Sequence, residues 1–70
     1  MKGLAYSSLR VGKKYRVINF GEISEFEIEQ ILGSDFAVKD LHTLERYRLR
    51  DLIKFGTGRD FEIREINAAH

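Results

Sequence analysis

Apolar and polar side chains alternate along much of the chain, with the period of two that is typical of β-strands with one buried face. The most informative stretch is 36–52, where Phe36 and Val38 alternate with small or polar residues. The alternation stops at His42-Thr43 and resumes over 46–50. We therefore predict a β-hairpin that turns at His42-Thr43 and is followed by one helical turn over 51–55.

A turn centred on His42-Thr43 sets Val38 opposite Tyr47 and Phe36 opposite Leu49, so that the apolar faces of the two strands coincide. A second interpretation remains open, in which Thr43 caps a helix over 44–55. In that helix Arg46, Arg50 and Lys54 would lie four residues apart and repel each other, which favours the hairpin.

Three further segments have a strand-like alternation, 13–20, 25–32 and 59–66. In 25–32 the alternation slips at Ile31-Leu32, which predicts a bend or a bulge in that strand. We expect a loop over 19–24 and a three-residue turn at Gly33-Ser34-Asp35. With these loops the predicted cross-strand charge pairs are Arg16 with Glu27, Lys14 with Glu29, and Glu29 with Lys39.

These elements predict an all-β fold in a single domain of residues 1–70. Residues 1–10 form a weakly patterned N-terminal arm that could add an edge strand or cross one end of the sheet, and 67–70 form a frayed tail. The apolar positions that share the buried face are Tyr15, Val17, Phe26, Ile28, Phe36, Val38, Tyr47, Leu49, Leu52, Phe61 and Ile63. A sheet this small must close or stack in order to cover such a face.

Five short strands with tight middle hairpins and a helical turn before the last strand resemble the SH3-like small barrels, with Tudor-type barrels nearest in layout. The resemblance covers about 11–66 and implies a five-stranded antiparallel barrel. Asp40 matches the acidic position of the Tudor Asp-Tyr-Gly signature, but Leu41 and His42 stand where Tyr and Gly would be. A cage for methylated lysine or arginine is therefore not implied.

Composition narrows the class of function. The chain has 70 residues, 12 Lys and Arg against 11 Asp and Glu, and no Cys. The absence of Cys excludes disulfides and thiolate metal sites. A net charge so close to zero is not typical of a general nucleic-acid-binding protein. We find neither a secretory signal nor a membrane-spanning run, so we expect a cytoplasmic protein without a membrane partner.

Catalysis and metal binding find little support in the sequence. Glu25, Glu27 and Glu29 alternate on one strand, which is typical of a solvated face paired with basic neighbours. A calcium site would also need a turn and backbone carbonyl ligands. His42 has no Ser, Cys or His partner within sequence reach and is interpreted as a turn residue. We predict no enzyme, no cofactor and no metal.

Two surfaces are candidates for binding. The first is a basic face formed by Lys39, Arg46, Arg48, Arg50 and Lys54, which could bind RNA, DNA or another anion. The same face also fits a solvated surface that is balanced by Glu29 and Glu45.

The second candidate is a peptide groove lined by Tyr15, Phe20 and Phe55. The SH3-like resemblance implies a peptide groove at these positions. Phe20 also fits a lid over one end of the barrel. We expect a non-enzymatic adaptor that acts through contacts with a protein partner or through self-association. Nucleic-acid binding by the basic face is the alternative.

Overall fold

The computed structural model describes residues 2–3 and 6–66, and it consists of short strands and two 3₁₀ helices. The elements are β1 (Lys2–Gly3), a first 3₁₀ helix (Tyr6–Ser8), β2 (Lys14–Asn19), β3 (Glu22–Leu32), β4 (Asp35–Asp40), β5 (Arg46–Arg48), a second 3₁₀ helix (Leu49–Ile53) and β6 (Glu62–Glu65). The predicted all-β character and the helical turn before the last strand are confirmed. The predicted tail 67–70 lies outside the described residues.

The strands form one six-stranded sheet in the order β1-β6-β2-β3-β4-β5. The five strands β2 to β6 pair with one another in antiparallel fashion, as predicted. The two-residue β1 pairs with β6 in parallel, so the arm adds a sixth, parallel edge strand. Among the described residues β1 and β5 are the two ends of this order, and closure into a barrel is not confirmed.

The core lies on one face of the sheet, and the alternation identified most of it. Nine of the eleven predicted inner residues are buried, and Tyr47 and Leu52 are partly buried and pack against them. Leu9, at 1% exposed, also belongs to this core and was not predicted. Its position after a 3₁₀ helix gives it no alternating neighbours, so the period of two does not detect it.

The N-terminal arm packs against the core through its second half. The Tyr6 ring meets the Phe61 ring edge-on, with 6.5 Å between their centroids. The backbone N–H of Arg10 donates to the hydroxyl of Tyr15 at 2.9 Å. A buried tyrosine needs such a partner for its hydroxyl, and the arm supplies it.

The first hairpin is tighter than predicted. Pairing continues to Asn19 opposite Glu22, so the turn is only Phe20-Gly21. This places Arg16 opposite Glu25 and Lys14 opposite Glu27, and the predicted pairs of Arg16 with Glu27 and of Lys14 with Glu29 are wrong. Because Gly21 and Phe20 both adopt positive φ, at 78° and 52°, two residues are enough to reverse the chain.

The second hairpin also differs in register. Leu32 pairs with Asp35, so the turn contains Gly33-Ser34 alone. Lys39 faces Glu27 instead of Glu29, because the shorter turn and the register shift between Ile28 and Gln30 each move the pairing by one residue. That shift is the irregularity predicted for this strand, although it lies two residues earlier than the slip at Ile31-Leu32.

The central hairpin confirms the predicted pairing of Val38 with Tyr47. The returning strand ends at Arg48, however, and Leu49 begins the second 3₁₀ helix instead of pairing with Phe36. Asp51 favours this early end, since its Oδ2 accepts the backbone N–H of Arg48 at 3.2 Å. The alternative helix over 44–55 is wrong.

Leu44 adopts φ 64° in the turn between β4 and β5 and is 62% exposed. A leucine pays about 1 kcal/mol for this left-handed conformation, whereas asparagine tolerates it. We expect Leu44→Asn to raise the free energy of unfolding by about 0.5–1 kcal/mol in urea denaturation. Leu44→Ala, which keeps the backbone penalty, is the control, and an equal gain from Ala would contradict this explanation.

Candidate functional site

The three arginines of the predicted basic face each have a carboxylate close by. Arg46 Nε lies 2.8 Å from Glu29 Oε1. Arg48 Nη1 and Arg50 Nε lie 3.6 Å and 3.9 Å from the same oxygen, Asp35 Oδ2. The balancing role of Glu29 matches the solvated interpretation of this face, and Asp35 adds a counter-ion that the sequence did not suggest.

The two lysines of that set occupy different surroundings. Lys39 lies on β4 between Glu27 on one neighbouring strand and Arg46 on the other. Lys54 follows the second 3₁₀ helix, and its Nζ lies 5.3 Å from the centroid of the Phe55 ring. Acidic residues therefore lie beside four of these five basic residues.

Of the three residues predicted to line an aromatic groove, two are exposed and one is buried. Tyr15 is 1% exposed and lies in the core, so its ring does not line a surface. Phe20 and Phe55 are 60% and 85% exposed. Ile23, which was not predicted as a site residue, is 63% exposed beside the turn that holds Phe20.

Asn19 explains how the loop bearing Phe55 is held against the end of β2. Its buried Nδ2 donates to the backbone oxygens of Leu52 and Gly56 at 3.2 Å and 3.1 Å. Its Oδ1 accepts the backbone N–H of Gly58 at 2.7 Å. One side chain thus satisfies three backbone groups of the 52–58 segment, which an irregular loop cannot satisfy within itself.

Asp60 fixes the turn that carries Phe20. Its two oxygens accept the backbone N–H groups of Phe20 and Gly21 at 2.9 Å and 2.7 Å. The hydrogen bond from Gly21, aided by that from Phe20, lowers the pKa of Asp60 below its ordinary 3.8, against an opposing effect of desolvation. Phe20 can therefore be held at a positive φ that a bulky residue rarely adopts.

The Phe20 ring also packs against the loop. A Cβ at Gly58 would lie 2.9 Å from Phe20 Cδ1, so only glycine lets the ring approach this closely. The ring covers part of this loop, yet Phe20 as a whole remains 60% exposed. We call this end of the sheet the Phe20 end and define it by Phe20 and Phe55, which lie in the two loops, and by Ile23, which pairs with Ile18 beside the first turn on the face away from the core.

The Asp60 contacts make the stability of the turn dependent on pH. Because the pKa of Asp60 is lower in the folded chain, its contribution is present above about pH 3.8 and is lost as pH falls through the lowered value. We expect the melting temperature of the native protein to fall over this pH range, and the melting temperature of the Asp60→Asn variant to fall less. Parallel melting curves between pH 5 and pH 2 would measure the difference, and two superimposable pH profiles would contradict it.

Two of the three alternating glutamates on β3, Glu25 and Glu29, take part in ion pairs. Glu25 Oε2 lies 2.7 Å from Arg16 Nε, and Glu25 Oε1 lies 2.9 Å from His42 Nε2. These bonds, first that from Arg16 and then that from His42, lower the pKa of Glu25. Within 2–3 and 6–66 we find no group of three or more His, Cys, Asp or Glu side chains that could hold a metal ion.

A shallow cleft opens at the other end of the sheet, where the first 3₁₀ helix approaches the turn between β3 and β4. It has a volume of about 50 Å³, and Phe36 and Leu49 contribute to its walls together with Asp35. This space holds little more than one or two water molecules. Ligand pockets are usually several times larger.

No helix in the described part of the chain has the length and apolar character needed to cross a membrane. Comparisons with protein-family models, with curated proteins and with solved structures found no match to this chain. Inference of function therefore depends on the surfaces described above.

Proposed function

We propose that this protein is a non-enzymatic binding module that contacts a protein partner through the Phe20 end. The observation that carries the proposal is the exposure of Phe20, Ile23 and Phe55 at 60%, 63% and 85%. Large aromatic and aliphatic side chains concentrated at one end of a small domain are typical of interaction surfaces. A surface of this kind suits a short apolar segment of a partner better than a small substrate, which needs a concave pocket.

The rigid support of this end favours binding. Asn19 and Asp60 hold the two loops in place through five backbone hydrogen bonds. Phe20 is kept at φ 52° although glycine would adopt that backbone more easily. Backbone strain of this kind often occurs at functional positions, and a fixed surface loses less entropy when a partner binds.

We further propose that the chain forms a small SH3-like barrel. Its support is the strand order, the 11-residue β3 that pairs with both β2 and β4, and the 3₁₀ helix between β5 and β6. The bulge in β3 would let that strand bend and serve both halves of a closed sheet. Nuclear Overhauser contacts between β1 and β5 would support closure, and their absence from a complete assignment would contradict it.

Titration of the ¹⁵N-labelled protein with pools of short peptides tests the proposed surface. We expect chemical-shift changes at the amides of Phe20, Ile23 and Phe55, and weaker binding by Phe55→Ser. Ile31→Ser removes an exposed apolar side chain from the far end of β3 and serves as the matched control. Shift changes confined to Arg46 and the basic face would overturn the proposal.

Self-association is a second way in which the same surface could act. Light scattering over a range of protein concentrations distinguishes it, because the mass would rise above that of one chain. In that case Phe55→Ser should restore the monomer, whereas Ile31→Ser should not.

A further inference from the structure

We draw no further inference here: the strongest candidate, the shallow cleft that opens beside Asp35 near the first 3₁₀ helix, has a volume of only about 50 Å³, and the guanidinium groups of Arg48 and Arg50, at 3.6 Å and 3.9 Å, already neutralise the Asp35 carboxylate on its wall, so nothing in the described residues shows what would fill it.

Discussion

Phe26→Ala is expected to leave most of the chain unfolded at 25 °C. Phe26 is fully buried at the centre of β3, where its ring packs against Tyr15 with 6.5 Å between centroids. Removing a buried phenylalanine side chain costs about 3–5 kcal/mol, through lost burial and the cavity that remains. A domain of this length has a net stability of about 3–5 kcal/mol, so the loss is comparable to the whole.

Circular dichroism and the dispersion of amide proton shifts would measure this outcome directly. Ile31→Ala is the matched control, because Ile31 lies on the same strand and is 47% exposed. It should retain a cooperative urea transition with a loss of about 1 kcal/mol or less. A dispersed, native-like spectrum of Phe26→Ala with less than about 1 kcal/mol lost would contradict the assignment of Phe26 to the core.

The core could be predicted from the sequence because burial and the period of two coincide on these strands. Phe26 and Ile28 alternate with glutamates, and one buried face follows directly from that pattern. Register could not be predicted equally well. It depends on turn lengths, and Phe20 in a left-handed conformation shortens the first turn in a way that glycine spacing alone does not reveal.

The candidate site was predicted only in part, for a related reason. Phe20 and Phe55 stand out as aromatic residues in loops, and both are exposed as a surface requires. Asn19 and Asp60, which position them, bond to backbone groups 33 to 40 residues away along the chain. No local sequence pattern identifies such long-range contacts, because polar residues are common at strand ends and in turns whether or not they make them.

Asn19→Ala is expected to lower the free energy of unfolding by about 2–4 kcal/mol. The substitution leaves the backbone oxygens of Leu52 and Gly56 and the N–H of Gly58 without their partner. Each buried polar group left unsatisfied costs about 1–3 kcal/mol, although water can reach part of this loop. We therefore expect the loop over 52–58 to loosen and the Phe20 end to lose its fixed arrangement.

Urea denaturation and amide hydrogen exchange at Gly58 distinguish the two roles of the Asn19 side chain. Asn19→Asp keeps the acceptor for the Gly58 N–H but removes the donors to Leu52 and Gly56 and places a carboxylate against two carbonyl oxygens. It should therefore retain protection at Gly58 while losing stability, whereas Asn19→Ala should lose both. Unchanged exchange at Gly58 in Asn19→Ala would show that the loop is held by packing of the Phe20 ring instead. Peptide binding at the Phe20 end would then survive the substitution.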